Sequence, residues 1–304
     1  MHYKYIIDTD IGDDIDDAFA IAQALDYNLD VIGVTTVFKN VKQRAAIARK
    51  LLKLYGRSDI PVYAGVGVGI NGKLRTTDKL IQYTSDLPEY YVDKDDCEEL
   101  AVDFIINKVK DHGESLVILA IGPLTNIARA IQKAPEIMAK VGKILLMGGD
   151  YSRQYCEWNI ICDLDAAKIV FTSDCKLECV GYDVTVQTRM KNGEEKKVLD
   201  MFTENKPEKA YLKELYTLWR KGVHEKTVLE LHDPLTVYYE INPAAFKMKT
   251  SGVYIATDCG KLNGMTVNAE VFCKNLMSKQ VLFAVSADIE LFKKQFFEIT
   301  CSIK

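Results

Sequence analysis

The sequence predicts an α/β fold, in which helices cover both faces of a mainly parallel sheet within one domain of 304 residues. Short apolar runs typical of buried strands alternate with longer segments whose apolar residues recur at helical spacing. The strand-like runs are apolar nearly throughout, as is typical of parallel strands buried between two layers of helices. No Pro-, Gly- or Ser-rich stretch marks an internal linker, so residues 1–304 are predicted to form a single domain.

The elements follow in βαβ order through the first part of the chain. The predicted strands are 4–7, 31–37, 62–64, 116–120, 143–147 and 177–180, and the predicted helices are 17–25, 41–55, 97–111, 125–133 and 165–172. Residues 66–94 are less regular and are predicted to form a long loop over the sheet edge. Residues 191–230 are rich in Lys and Glu and are predicted to form a helical cap or lid. Strand-like stretches at 248–256 and 264–273 and a helix at 289–297 complete an open, Rossmann-like sheet.

Six aspartates lie within residues 8–17, between the first predicted strand and the first predicted helix, with no Lys or Arg among them. Carboxylates this close need raised pKa values or a bound cation, and oxygen ligands in such number suit Ca²⁺ or Mg²⁺. One or two of them would be explained as solvated charges or as helix caps, a role open to Asp16 and Asp17. Six indicate a divalent-metal site, at the strand end where open α/β sheets bind ligands.

Charge and composition restrict the class of partner. The net charge is −4 and no basic tract is present, which argues against nucleic acid or a membrane surface bound by charge alone. No leader precedes the first strand, and no apolar run approaches the roughly 20 residues that span a bilayer. The eight cysteines are scattered and form no Cys-x-x-Cys pair, so they are expected to be reduced. We therefore expect a cytoplasmic protein that binds a small molecule.

Four further motifs are placed at the ends of predicted strands, where they would converge on one crevice. They are Thr-Thr-Val-Phe-Lys-Asn at 35–40, Ala-Ile-Gly-Pro-Leu-Thr-Asn at 120–126, Met-Gly-Gly-Asp at 147–150 and Glu-Trp-Asn at 157–159. A fifth motif, Leu-His-Asp-Pro at 231–234, adds the histidine His232 and the carboxylate of Asp233. An isolated histidine is more often a core or helix-capping residue, but the adjacent Asp233 favours a functional role for His232.

With these motifs in order, the chain resembles the nucleoside hydrolase family, the inosine–uridine-preferring N-ribohydrolases, from residue 5 to about 297. The matching motifs are Asp-x-Asp-x-Gly…Asp-Asp-Ala at 8–18, Thr-Thr-Val-x-x-Asn at 35–40, Gly-Pro-Leu-Thr-Asn at 122–126, Met-Gly-Gly at 147–149, Glu-Phe-Asn-x-x-x-Asp at 157–163 and His-Asp at 232–233. Trp158 stands where the family usually has Phe. Each motif alone is weak, but six in the same order make a specific match.

The resemblance implies a calcium site and a ribose site built from these motifs. Ca²⁺ would be held by the carboxylates of Asp10, Asp17 and Asp233 and by the backbone carbonyl of Ile121, with ribose hydroxyls and a water completing a shell of about six to eight oxygens. The residues that match substrate contacts are Asp16 and Asn40 for the lower ribose hydroxyls, Glu157 and Asn159 towards the 3′- and 5′-hydroxyls, and Met147 lining the sugar site.

The implied reaction is calcium-dependent hydrolysis of the N-glycosidic bond of ribonucleosides to ribose and free base, as in nucleoside salvage. Asp10 would act as general base on a metal-bound water, and the carboxylates would stabilise an oxocarbenium-like transition state. His232 would protonate the departing base or bind near it. The resemblance also implies a homodimer or homotetramer.

Three departures from the family pattern affect what transfers. The acidic loop is two residues longer than usual, so Asp14 keeps the usual spacing from Asp10 while Asp16 and Asp17 keep the usual link to the helix. We favour the helix link, because helix phase fixes where side chains point, and Asp14 remains the alternative. The family's His-Gly segment is missing from residues 69–78, and Lys39 stands where glycine is common. The base that would be released is therefore left open.

Two alternatives belong to other classes. A haloacid-dehalogenase-type, Mg²⁺-dependent phosphatase would use Asp8 as nucleophile and Asp10 as acid and base. That motif normally has Thr or Val where this chain has Gly12, and its later Lys and distal acidic pair have no clear counterpart here. The second alternative is a catalytically weak, calcium-dependent nucleoside- or sugar-binding protein, against which the retained Asp10 counts.

Overall fold

Strands and helices alternate from the amino terminus, as the apolar patterning predicts. The computed structural model describes residues 2–74, 76, 79–90, 98–153, 155–191, 193–202, 206–272 and 278–301. Its strands are β1 (Lys4–Thr9), β2 (Asp30–Thr36), β3 (Val62–Ala64), β4 (Leu116–Ala120), β5 (Lys143–Met147), β6 (Leu177–Val180), β7 (Phe246–Ile255), β8 (Thr266–Asn268) and β9 (Lys279–Ala287).

The helices cover the connections between these strands. They are α1 (Asp16–Asp26), α2 (Val41–Leu54), α3 (Glu98–His112), α4 (Thr125–Lys133), α5 (Pro135–Met138), α6 (Trp158–Cys162), α7 (Leu164–Thr172), α8 (Tyr182–Thr185), α9 (Glu194–Met201), α10 (Pro207–Gly222), α11 (His232–Ile241), α12 (Ala269–Phe272) and α13 (Ile289–Gln295). None of the helices in the described part of the chain has both the length and the apolar character needed to cross a membrane.

The strands form one sheet in the order β3-β2-β1-β4-β5-β6-β9-β7-β8. Pairing is parallel from β3 to β9, whereas β7 pairs antiparallel with both β9 and β8. The prediction of an open, mainly parallel sheet is therefore confirmed. Because the carboxyl ends of parallel strands share one edge, the loops after β1, β4 and β5 meet there.

Alternate residues of the central strands belong to two apolar clusters on opposite faces of the sheet. Ile7 and Leu119 pack in a cluster with residues of α1, α2, α10 and α11, whereas Ile6 and Ile118 pack with residues of α3, α4 and α7. Since side chains alternate between the faces of a strand, this division confirms that helices cover both faces.

Two predictions need adjustment at the level of single elements. Of the predicted strand 264–273, only β8 is extended; the chain then turns into α12, and residue 273 lies outside the described residues. In the predicted lid, α10 buries Leu215 and Trp219 in the same apolar cluster as α1 and α2, because its apolar residues recur at helical spacing. The carboxyl end of α10 is therefore fixed beside the sheet edge, and a lid-like movement of residues 191–230 stays a prediction.

Candidate active site

A cavity of about 620 Å³ opens at the carboxyl ends of β1, β4 and β5. This size is typical of a small-molecule site. Sorted by residue type, its lining comprises an acidic half and a largely aromatic and apolar half, with Lys39 and Lys79 in addition. The acidic half consists of Asp10, Asp13, Asp14, Asp16, Asp17, Glu157 and Asp233, and the other half includes Met147, Tyr155, Trp158, Tyr182 and Trp219.

The acidic loop between β1 and α1 is held from below by a buried arginine of α2. The Arg44 guanidinium donates to the backbone carbonyls of Asp10, Ile11 and Phe38 and to a carboxylate oxygen of Asp13, 2.8 Å away. Arg44 has no exposed surface. Its position on the buried side of α2 was not recognised from the sequence, because an arginine there interrupts an otherwise apolar helix face.

Gln82 holds the same loop from the other side. Its backbone N–H donates to the carbonyl of Gly12 at 3.0 Å, and its side-chain amide donates to the carbonyl of Asp14 at 2.7 Å. Gly12 has a φ of +121°, which side chains rarely tolerate and which reverses the chain at this point. The loop conformation is therefore fixed by α2 and by the segment after β3 together.

Asp16, Asp17 and Asp233 form a cluster that could hold a metal ion. Each offers a carboxylate oxygen, these oxygens lie within 4.8 Å of one another, and all three residues are buried. The N–H of Asp233 donates to Asp16 at 3.2 Å, and the Thr9 hydroxyl donates to Asp17 at 2.5 Å. Asp14 lies outside this cluster; its carboxylate accepts from the N–H of Ile15. The structure thus places Asp16 and Asp17, rather than Asp14, beside Asp233.

The predicted capping role of Asp16 or Asp17 is wrong. The residue at the cap position of α1 is Ile15, with no side-chain cap, and both aspartates lie within the first turn. Their carboxylates therefore point into the cavity rather than back onto the backbone of the helix. The helix phase places them next to α11, whose first turn carries Asp233.

The electrostatics of this cluster call for a cation. Burial raises the pKa of Asp16 to about 7 and that of Asp10 to about 6, and the neighbouring carboxylates add to both shifts. Burial and repulsion from Asp16 and Asp10 also hold the pKa values of Asp17 and Asp233 well above the usual range. Among the residues that the structure describes, no Lys or Arg forms an ion pair with the cluster. The charges of His232 and Arg44 oppose these shifts only in part, so the buried carboxylate oxygens could hold a metal ion.

The ends of β4 and β5 close the floor of the cavity. A Cβ on Gly122 would lie 2.9 Å from both the backbone nitrogen and a carboxylate oxygen of Asp10, so only glycine permits this approach. The amide of Asn159 donates to the carbonyl of Met147 at 3.1 Å and approaches that of Ile121 at 3.4 Å. These three residues line the cavity as the sequence predicts.

Glu157 lies beside this floor as the cap of α6. Its carboxylate accepts from the N–H groups of Asn159, Gly149 and Ile160. Burial raises its pKa to about 6, although these three hydrogen bonds oppose the shift. Glu157 thus presents a preorganised carboxylate to the cavity.

Asn40 is not brought to this cavity. Its side chain is exposed, caps α2 by accepting from the N–H of Gln43 at 3.2 Å, and lines a separate neighbouring cavity. The preceding residue, Lys39, lines both this neighbouring cavity and the main one, and donates to Asp13 at 2.9 Å. The reason is local: Phe38 and Lys39 both have positive φ, which redirects the chain before α2 begins.

His232 faces the aromatic half of the cavity. Its Nδ1 lies 2.8 Å from the Thr185 hydroxyl and its Nε2 lies 3.1 Å from a carboxylate oxygen of Glu230. Burial lowers the pKa of His232, but Glu230 and Asp16 together raise it above its ordinary value. The ring also packs against Tyr182, which in turn stacks on Tyr155 at 4.6 Å.

Sequence patterning did not identify this aromatic wall. Tyr155 lies in a loop, Tyr182 begins a four-residue helix, and Trp219 lies in the last turn of α10, far along the chain. No local spacing relates them, so only the tertiary structure brings them together. By contrast, Asp8 is fully buried and accepts from Thr35 and Asn126, which leaves it unavailable as the nucleophile of the phosphatase alternative.

The family model for inosine-uridine preferring nucleoside hydrolases matches residues 5–294. The chain is 30% identical over 267 residues to uridine nucleosidase 1 of Arabidopsis thaliana, covering 84% of this chain and 79% of that protein. It is also 30% identical over 280 residues to the inosine-uridine preferring nucleoside hydrolase of Leishmania major, covering 88% of each.

Solved structures give the same result. The purine-preferring ribonucleoside hydrolase from Gardnerella vaginalis has a TM-score of 0.79 to this structure and 30% sequence identity, over 98% of each chain. The sheet order, the acidic cavity and these matches agree. The chain therefore belongs to the inosine-uridine preferring nucleoside hydrolase family and is a hydrolase of N-glycosyl bonds.

Proposed function

We propose that this protein hydrolyses ribonucleosides to ribose and free base in a Ca²⁺-dependent reaction. The observation that carries the proposal is the buried cluster of Asp16, Asp17 and Asp233, which forms the acidic half of a cavity whose other half is aromatic. The acidic half suits a metal ion and a sugar with many hydroxyls, and the aromatic half suits a planar base.

The proposed calcium ligands are the carboxylates of Asp10, Asp17 and Asp233 and the backbone carbonyl of Ile121. All four residues line the cavity, and Asp10 is close enough to raise the pKa values of Asp17 and Asp233. A bound Ca²⁺ supplies positive charge that keeps these carboxylates ionised and lowers the pKa of a water molecule. Asp16 is then available for a ribose hydroxyl.

Asp10 is the proposed general base. Burial raises its pKa to about 6, and the charges of Arg44 and Lys39 oppose that shift. These shifts describe the protein without a metal ion; bound Ca²⁺ would favour the ionised carboxylate, which is the form that accepts a proton from water. The carbonyl of Asp10 is held by Arg44, so its backbone is fixed before substrate binds.

The carboxylates around the sugar favour the charge that develops as the glycosidic bond breaks. Positive charge on the ribose is stabilised by fixed anions in a cavity shielded from water. Glu157 and Asn159 are the proposed contacts towards the 3′- and 5′-hydroxyls, and Met147 the proposed sugar-wall residue, because each lines the cavity beside Ile121. We make no corresponding proposal for Asn40.

His232 is the proposed acid for the departing base. Glu230 and Asp16 favour its protonated form, and its ring lies against the aromatic wall that would hold the base. Both ring nitrogens have protein partners, Thr185 and Glu230. The base must therefore take the place of one of these oxygens to receive the proton.

The proposal extends to a cytoplasmic homodimer or homotetramer acting in nucleoside salvage, as the family resemblance implies. Light scattering on the purified protein tests the assembly. The names of the relatives include uridine, inosine and purine. We therefore leave the base to experiment.

The test is release of free ribose from a set of purine, pyrimidine and modified nucleosides, measured by a reducing-sugar assay. We expect release by the wild-type protein and a loss of about 10²- to 10⁴-fold in Asp10→Ala. Asp103→Ala, which changes an aspartate exposed on the surface and paired with Lys133, is the matched control and should remain active. Near-normal activity of Asp10→Ala would contradict its assignment as base.

Metal content is measured on the same preparations. Asp233→Ala should lose bound calcium, determined by elemental analysis after desalting, because it removes one of three clustered carboxylates. Calcium unchanged in Asp233→Ala would refute its role as ligand. Absence of ribose release from every nucleoside, with calcium bound to the wild type, would instead favour the binding-protein alternative.

A further inference from the structure

We propose that Lys39, rather than Asn40, donates a hydrogen bond to a hydroxyl of the substrate ribose and thereby contributes to recognition of the sugar. The inference rests on the proposed function, since it assumes a ribosyl substrate in the main cavity. It concerns a lysine whose backbone conformation suits glycine, and it assigns to that lysine a contact that the family resemblance implies for Asn40.

The backbone before α2 determines which side chain faces the cavity. Phe38 and Lys39 have φ values of +67° and +60°, in the left-handed region that residues with a side chain rarely adopt. Their N–H groups donate to the carbonyls of Val66 and Gly67 at 2.9 and 2.8 Å, which hold the two residues in this conformation. Unusual backbone conformations of this kind concentrate at functional sites.

As a consequence, Lys39 lines the main cavity and Asn40 does not. The Asn40 side chain is exposed and already accepts a hydrogen bond as the cap of α2. The Lys39 side chain is only 9% exposed, and it lines the cavity together with Asp10 and Asp16. A lysine in a left-handed conformation, which glycine adopts more easily, is explained if its ammonium group has a role in the cavity.

The chemistry of the cavity calls for a donor. A sugar hydroxyl both donates and accepts hydrogen bonds, whereas ionised carboxylates only accept. The Lys39 ammonium carries three donors, and within the described part of the chain it has one acceptor, Asp13 at 2.9 Å. Asp13 pairs with both Lys39 and Arg44 and so offsets part of their charge, while the other carboxylates of the cavity face the positive charge that develops on the ribose.

The first test compares kcat/KM of Lys39→Met with that of the wild type for inosine and uridine. We expect a loss of about 10- to 100-fold, typical of removing a hydrogen bond to a charged group. Lys42→Met, which changes a lysine on the first turn of α2 that does not line the cavity, is the matched control. A loss of less than two-fold in Lys39→Met would overturn the proposal.

Two further variants separate substrate contact from support of the loop. Asp13→Asn weakens the ion pairs of Asp13 with both Lys39 and Arg44 but keeps the ammonium group. It disturbs the support of the loop at least as much as Lys39→Met does, so a clearly smaller loss of kcat/KM is expected if Lys39 contacts the substrate. Asn40→Ala removes the cap of α2 and should lower the melting temperature, with a smaller loss of kcat/KM than Lys39→Met. An equal loss in Asp13→Asn would make Lys39 a structural residue, and a larger loss in Asn40→Ala would return the sugar contact to Asn40.

Deoxy substrates identify the hydroxyl. The effect of Lys39→Met should shrink to under about three-fold for either the 2′-deoxy or the 3′-deoxy nucleoside, because that analogue lacks the accepting oxygen. Inhibition constants against inosine replace kcat/KM where a deoxynucleoside is turned over too slowly. A loss that is the same for all three sugars would contradict a direct contact.

Failure of the proposed function is visible separately, as absence of ribose release by the wild type. In that case the affinity for D-ribose, measured by calorimetry on the calcium-loaded protein, takes the place of kinetics. Weaker binding by Lys39→Met alone would support the contact, and equal binding by Lys39→Met and the wild type would overturn it.

Discussion

Replacement of Arg44 by methionine should destabilise the protein strongly, because this one side chain supports the whole acidic loop. Arg44 is fully buried and donates to three backbone carbonyls and to Asp13. A buried acceptor left without its donor costs about 1–3 kcal/mol. Leaving three carbonyls without their donor, each at the lower end of that range, accounts for about 3 kcal/mol. The ion pair with Asp13 adds less than its full value, because Lys39 still pairs with Asp13. The expected loss in the free energy of unfolding is therefore about 3–5 kcal/mol.

The assay is urea unfolding followed by the fluorescence of Trp219, which is buried in the main apolar cluster. Measurements with a chelator present remove the contribution of bound metal to the stability of the folded state. Arg57→Met is the matched control, since Arg57 is 37% exposed and pairs with an exposed Asp59. The control should change the free energy of unfolding by less than about 0.5 kcal/mol. If Arg44→Met lowered the free energy of unfolding by less than about 1 kcal/mol, and the dependence of that free energy on urea concentration were unchanged, the reasoning would be refuted.

Two other experiments test the packing of Gly222 against Ile81 in the cavity lining and the charge of the acidic residues. A Cβ on Gly222 would lie 2.4 Å from a methyl carbon of Ile81, so Gly222→Ala should raise KM and cost about 1–3 kcal/mol of stability. Adding Ile81→Ala to Gly222→Ala should recover part of the stability and part of the KM. A Gly222→Ala variant with the KM and stability of the wild type would contradict the close packing. In the chelated protein, stability should fall as pH rises from about 4 through 7, because the raised pKa values of Asp10 (about 6) and Asp16 (about 7) mean that the folded state binds protons more tightly than the unfolded chain. Melting temperatures with chelator and with excess Ca²⁺ check this, since Ca²⁺ should remove the fall; a melting temperature that rises with pH under chelation would contradict it.

The sheet was predictable because its strands satisfy two independent signals. The runs that became β4 and β5 are apolar on both faces and alternate along the chain with segments of helical spacing, so their burial and parallel order follow from the sequence. A functional role for the acidic loop was predictable because caps and solvated charges explain one or two carboxylates at a strand end, but not six. The predicted helix 41–55 ends before Gly56, whose φ of +70° is typical of glycine directly after a helix.

The details that failed depend on backbone conformation and distant packing. Hydrophobic periodicity does not report a pair of left-handed residues, so the exposed position of Asn40 as the cap of α2 could not be predicted, whereas a lysine near the sugar site was expected from the position of Lys39. The motif Asp16-Asp17 resembles a cap, but the helix begins one residue earlier and places both carboxylates in its first turn. The roles of Arg44 and Gln82 could not be predicted, because they hold the loop mainly through hydrogen bonds to its backbone carbonyls, which leave no sequence pattern.

The hydrogen bond from Asp233 to Asp16 joins residues that are 217 positions apart. During synthesis the amino-terminal strands and helices emerge long before α11, so their carboxylates are exposed to water, with ordinary solvation, until most of the chain has left the ribosome. Bringing α11 against α1 closes a very long loop, a slow step in the folding of any chain. Tight metal binding would therefore begin only at that late stage. The time course of ion uptake during refolding would report when α11 packs against α1.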